Sequence, residues 1–198
     1  MTLWTIQSLP AWQELQETGF LRASRHNICE HPWRSAYRWM TDQMHLRIGP
    51  PPEDDCTPIW AWYQWDGSTK RPDLRSRGHL PPGEPGVRIE FNCSHDAALL
   101  SDVSLWHFGR NYSYLPASEA DSERFESELT ARRLSFYDQK PLPDHAYHRR
   151  IVGSWERIFD LEWCEPDLSE PREQKSIQAT LWELTLQQVT ECQYFVGR

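Results

Sequence analysis

Near the C-terminus the run SIQATLWEL carries two residues able to act on a ligand, Gln178 and Glu183. Read as a strand, it sets Gln178, Thr180 and Trp182 on one face and Glu183 on the other, among Ile177, Ala179 and Leu181. A carboxylate in that apolar row is costly unless it is paired or used. Glu183 therefore reads either as a group near a strand end, in water or paired with an arginine, or as a group that works in catalysis. Gln178 could orient a ligand but could not take its proton. A second constellation is PIWAWYQWDG (58–67), which packs Trp60, Trp62, Tyr63 and Trp65 into ten positions and offers either a stacking surface or the floor of an aromatic core. The loop TKRPDLRSRG (69–78) sets Lys70, Arg71, Arg75 and Arg77 against the single Asp73, which reads as a local anion site or as a solvated loop. In LWHFGRN (105–111), His107 and Asn111 stand one helical turn apart and could converge on a phosphate, or His107 could be a hydrogen-bonded, half-buried histidine.

Metal and nucleotide signatures are scarce. His26, Cys29 and His31 cluster in HNICEH, and His145 and His148 lie one turn apart, but neither set matches a ligand pattern and no H-E-x-x-H is present, so no metal is expected. The chain has no G-x-S-x-G elbow, no Walker A loop and no G-x-G-x-x-G, which removes the common hydrolase, P-loop and dinucleotide-fold readings.

The elements that must position these residues follow from periodicity and breakers. LWTIQ (3–7) reads as a strand with Thr5 and Gln7 on one face, followed by a helix over about 10–18 with Gly19 past its end. A helix over about 32–48 carries Trp33, Tyr37, Met40, Met44 and Ile48 at three- and four-residue steps and stops at GPPP. The aromatic strand (58–65) puts Trp60, Trp62 and Gln64 on one face and Ala61, Tyr63 and Trp65 on the other. A long loop (68–85) follows, then GVRIEFN (86–92) with Val87, Ile89 and Phe91 inward and Arg88, Glu90 and Asn92 outward. The short apolar run 97–100 leads to Ser101 and Asp102 as caps for a helix interrupted by Gly109. Further helices are expected at 119–134 and 145–159, and a strand at 176–186.

These elements make an α+β single domain over residues 1–198, with a split, mixed or antiparallel sheet flanked by helices and with strands from both ends of the chain. The eleven Trp and 38% hydrophobic content suit a core built on large rings. A net charge of -8 argues against coating duplex nucleic acid by charge alone. Five scattered cysteines (29, 56, 93, 164, 192), no leader-like N-terminus and no apolar run long enough to span a bilayer point to a cytoplasmic protein without a membrane partner.

LWTIQ, W-x-x-L-x-x-x-G-x-L (12–21), RIGPPP, PIWAWYQW, KRPDLR, GVRIEF, LLSD followed by LWH and an Asn, SWERIFDL (154–161) and IQATLWEL together resemble the bacterial proteins grouped as domain of unknown function 3841, over nearly the whole chain. More distantly, a first strand, a short helix and then G-x-L are similar to the start of NAD-dependent ADP-ribosyltransferases of the DNA-targeting toxin type and of related RNA phosphotransferases. That resemblance implies a split sheet whose cleft holds NAD as substrate, with Tyr or Trp stacking on nicotinamide and a late strand carrying a catalytic glutamate. On it, Thr5 stands where the group often has His, with Gln7 beside it. Gln178 or Glu183 stands for the glutamate, and Trp60, Trp62 and Tyr63 supply the stacking. Arg71, Arg75, His107 and Asn111 then complete a cofactor-binding set. The implied activity is ADP-ribosyl transfer to a macromolecular acceptor, nucleic acid or protein, by a toxin or phage-defence effector; an operon-encoded partner is a separate expectation. The other readings are a non-catalytic nucleotide- or nucleic-acid-binding module built on the aromatic strand, and an interaction partner in a small operon.

Overall fold

Ser8 ends the first strand by turning its side chain to the backbone N–H of Ala11, which caps the first helix; Pro10 lies in its first turn, where the lost N–H has no intrahelical partner anyway. Gly19 closes that helix at φ 87° and returns its N–H to the Leu15 carbonyl. The computed structural model to which these details belong describes residues 1–24, 33–135, 137 and 139–198. The elements are β1 (Thr2–Ser8), α1 (Leu9–Thr18), β2 (Phe20–Ser24), α2 (Arg34–Ile48), β3 (Cys56–Thr57), β4 (Ile59–Gln64), β5 (Pro85–Asn92), β6 (Leu99–Asp102), α3 (Val103–Arg110), α4 (Glu119–Ala131), α5 (His145–Ser154), β7 (Ile177–Leu181), β8 (Glu183–Thr185) and β9 (Val189–Val196). His26, Cys29 and His31 lie outside the described residues.

Two compact units result, Met1–Leu100 with Ile177–Arg198 and Ser101–Ser176. In the first, the described strands form a six-stranded sheet in the order β6-β7-β4-β1-β5-β9 and a three-stranded sheet in the order β3-β2-β8. The β1–β4, β1–β5, β4–β7 and β5–β9 pairs are all antiparallel. The fold is α+β, and strands from both ends of the chain share one sheet. One face of that sheet is apolar. Leu3, Ile59, Ala61, Val87, Ile89, Phe91, Ala179 and Leu181 bury there with Trp12 and Leu15 of α1, and this is the alternation expected of a strand with one face on the core.

Several boundaries differ from the sequence reading for physical reasons. The strand expected over 176–186 breaks at Trp182: β7 follows β4 only as far as Ile59↔Leu181, and β8 then pairs with β2 instead. The apolar run near 97–100 supplies β6, Asp102 caps α3 with bonds from Ser104 N–H at 2.8 Å and Leu105 N–H at 3.2 Å, and α3 runs on through the buried Gly109. In β4 the register against β7 shifts between Trp62 and Gln64, so Gln64 pairs with Ile177 of the core-facing row and does not extend the Trp60–Trp62 face.

The second unit is helical. Phe125, Leu129, Tyr147, Ile151, Trp155 and Ile158 are buried in it, with the Trp155 indole donating to the Ser113 carbonyl at 2.8 Å. No described helix is long and apolar enough to cross a membrane.

Candidate functional site: the aromatic face of the large sheet

Residues paired across antiparallel strands share a face. The registers Gln178↔Trp62, Trp62↔Trp4 and Trp4↔Glu90 therefore lay one row across β7, β4, β1 and β5, on the face away from α1. Thr180 and Trp60 form the next row on the same side. Here β-strand alternation converts a Trp-rich sequence into a wall. Trp4 is buried and donates its indole N–H to Glu90 Oε2 at 2.8 Å, while Trp62 stays half-exposed and meets Trp65 edge-on, ring centroids 4.5 Å apart.

Two elements cover the ends of this wall. From α2, Tyr37 packs edge-on against Trp60 at 5.7 Å, and Met40 Sδ lies 3.9 Å from the Thr180 hydroxyl, which donates to the Leu99 carbonyl at 3.3 Å. At the other end the basic loop folds back over β5: Arg88 donates to the Pro72 carbonyl at 2.8 Å and to Gln193 Oε1 at 2.6 Å. Beside Trp65, just past the end of β4, lies a cavity of about 300 Å³ whose other lining comes from the basic loop, Lys70, Arg71, Asp73 and His79 included. It combines a ring wall with a cationic wall, the pairing that suits a planar, anionic ligand.

Gln178 is the polar residue of the row whose needs are unmet. Only 9% of it is exposed, and its Nε2 is buried without a hydrogen-bond partner among the described residues. A buried amide is ordinarily paired, and one left open on a ring-lined face has donors to spare for a ligand.

The other expected residues fall elsewhere. Thr5 and Gln7 alternate onto the opposite face, toward α1, where the Thr5 hydroxyl donates to the Trp60 carbonyl at 2.8 Å and accepts from Gln7 Nε2 at 2.8 Å. Tyr63 packs against the apolar core and is not in the ring wall. Glu183 leaves the row of Ile177, Ala179 and Leu181: it lies in the smaller sheet opposite Arg22, whose Nε donates to Glu183 Oε2 at 2.6 Å, and Arg22 also pairs with Glu53. That contact raises the Arg22 pKa, with burial opposing it. A carboxylate that would be expensive alone in an apolar row is thereby neutralised. Arg71 pairs with Glu191 at 3.2 Å, and Arg75 grips Asp73 at 2.7 and 3.0 Å, which drives the Asp73 carboxyl well below the usual carboxylate range. His107 and Asn111 sit exposed in the second unit, where the Asn111 carbonyl accepts from Lys140 Nζ at 2.7 Å. His148 is engaged with Tyr112, hydroxyl to Nδ1 at 2.6 Å. Among the described residues no three His, Cys, Asp or Glu side chains converge so as to hold a metal ion.

Sequence reasoning passed over Arg88, Trp4 and Glu90. Arg88 was expected to point to solvent, yet it is 6% exposed, because the outward face of β5 lies under the loop. The available signal was its alternation with Val87 and Ile89 next to a loop of four cations.

The model of a domain of unknown function (DUF3841) matches residues 2–190. Neither a curated protein nor a solved structure matches the chain.

Proposed function

For a chain that belongs to the family of domain of unknown function 3841, we propose binding of NAD on the aromatic face of the large sheet and transfer of its ADP-ribose to a macromolecular acceptor, nucleic acid or protein. The observation that carries this reading is the Trp62–Trp65 pair beside a cavity whose other wall bears Lys70, Arg71 and His79. A further support is that the first strand and a late strand, β1 and β7, flank the aromatic strand β4 in one sheet. A nicotinamide or adenine ring stacks on the indoles, and the spare Gln178 amide donates to a ribose hydroxyl. In the transfer, the bond from ribose C1′ to nicotinamide breaks with its electron pair leaving on nicotinamide. An acceptor oxygen or nitrogen bonds to C1′ and gives up its proton to a base. Gln178 orients in this scheme, and Glu183 acts as base only when released from Arg22.

One observation favours a second reading, a nucleotide-binding module without turnover: Glu183, the carboxylate that follows β7, is held in the Arg22 pair on the smaller sheet. Purified protein incubated with labelled NAD and bacterial lysate, nucleic acid included, separates the two. Label transfer that falls in Gln178→Ala or Glu183→Ala variants supports the enzyme. Saturable tryptophan quenching by NAD with neither transfer nor nicotinamide release supports the module, and absence of both overturns both.

A further inference from the structure

Arg88 stands in the middle of β5 with 94% of its surface covered. A guanidinium so placed ordinarily meets a carboxylate, since burying an isolated charge costs several kcal/mol. Both of its hydrogen bonds go to neutral oxygens, the Pro72 carbonyl and the Gln193 side chain, and it makes no ion pair among the described residues. Its pKa is lowered first by burial and then by the neighbouring charge of Arg71, while Glu191, Glu90 and Asp73 act more weakly the other way. The carboxylates whose charge acts on it are already engaged, Glu191 by Arg71, Glu90 by the Trp4 indole and Asp73 by Arg75. A buried cation with N–H groups in reserve, next to a second cation, stabilises a bound anion.

The space for one is present. Arg71, Arg75, Arg88 and Gln193 line a cavity of about 400 Å³ between the basic loop and the outer end of the sheet. It shares Arg71, Pro72 and Asp73 with the Trp65-lined cavity, so the two adjoin across the loop backbone. Gln193 sits directly opposite Arg88 in the β5–β9 register and holds the guanidinium in place through its carbonyl oxygen, and its amide N–H groups remain as further donors. Arg71 and Arg75 are exposed, at 57% and 81% of their side chains, so their surface pairs with Glu191 and Asp73 are weak and exchangeable. Guanidinium groups suit phosphate because their paired N–H groups match two of its oxygens.

We propose that Arg88, with Arg71 and the Gln193 amide, forms an anion subsite for the diphosphate of a nucleotide whose ring stacks beside Trp65. The proposal rests on the nucleotide-binding reading for the ring but not for the anion, which the subsite takes as diphosphate of any origin.

Inorganic pyrophosphate is therefore the first probe and NAD the second, titrated against tryptophan fluorescence and thermal unfolding of the whole chain. Pyrophosphate is expected to raise the melting temperature saturably and to compete with NAD. Arg88→Met should abolish pyrophosphate binding without lowering the melting temperature of the free protein, because it removes an unpaired buried charge. Arg71→Gln, at an exposed site, should weaken binding at least tenfold, and it carries the test alone if Arg88→Met does not fold. Pyrophosphate binding that is absent, or unchanged in both variants, overturns the subsite. NAD binding that persists unweakened in Arg88→Met overturns the subsite and leaves the nucleotide reading standing. Pyrophosphate binding lost in the variants, with no NAD binding in the parent, sinks that reading and leaves the subsite.

Discussion

Gln178 should be a residue the free protein is better off without. Its Nε2 is buried with no partner among the described residues. Leaving a buried donor unpaired costs roughly 1–3 kcal/mol, whereas an apolar side chain of similar shape carries no such cost. Gln178→Met keeps the length of the side chain and removes the amide, and methionine adapts to the rings of Trp62 and Trp4. Part of the gain is lost to imperfect repacking, so the expected change is a stabilisation of about 1–2 kcal/mol. For a chain of this size each kcal/mol moves the melting temperature by about 2–4 °C, which predicts a rise of about 2–8 °C. Urea unfolding followed by far-ultraviolet circular dichroism gives the free energy, and a parallel NAD titration followed by tryptophan fluorescence gives the ligand side. Stability should rise while NAD quenching weakens, since a donor reserved for ligand is a cost only in its absence. A variant destabilised by 1 kcal/mol or more would refute the reasoning, because it would mean the amide is already paired in the free protein.

In the second unit, Lys175 and Asp102 form an ion pair at 3.3 Å with side chains 1% and 3% exposed. Lys175→Met strands the Asp102 charge and should cost about 3–5 kcal/mol in urea unfolding, with much of it recovered in Lys175→Met/Asp102→Asn, where the asparagine still caps α3; equal losses in the single and double variants would contradict this. Glu128 is held below its ordinary carboxyl value by the Arg150 guanidinium, with burial opposing and the Tyr147 hydroxyl assisting. A depressed folded-state pKa contributes stability that is complete above the unfolded value, near 4.5, and is lost as the pH falls through the folded one. Glu128→Gln should accordingly flatten the acid limb of stability below about pH 4.5, and parallel limbs in parent and variant would count against the pair. Cys56 and Cys93 are buried, and burial pushes both thiols up, whereas Cys164 and Cys192 are exposed. An aromatic disulfide reagent should modify the latter two in native protein and reach Cys56 and Cys93 only on unfolding; early labelling of Cys56 would show that its site opens.

What could be read from the sequence depended on how far away the deciding partner lies. The cap of α1 by Ser8, its end at Gly19, the stop of α2 before the prolines and the face shared by Trp60 and Trp62 are decided within a few residues, and the structure has them. The placement of Gln178 beside Trp62 also follows from alternation alone once β4 and β7 pair. Glu183 could not be settled that way, because its partner Arg22 lies on β2, a five-residue strand distant in sequence whose pairing with β8 no local pattern announces. The same holds for β9, whose residues VTECQYFV are nearly all exposed on the edge of the sheet and so show no clean inward row, although they pair with β5 along its whole length. Arg88 is the sharpest case. Its own strand predicts an outward, solvated arginine, and only the return of the Pro72 carbonyl from one side and of Gln193 from the other buries it. A local pattern specifies which face a side chain takes, and the tertiary partners decide whether that face is water, core or cleft. Arg88 lies on the face that its own strand assigns to solvent, and Arg88 and the Gln178 amide, rather than Glu183, are where mutation should first be directed.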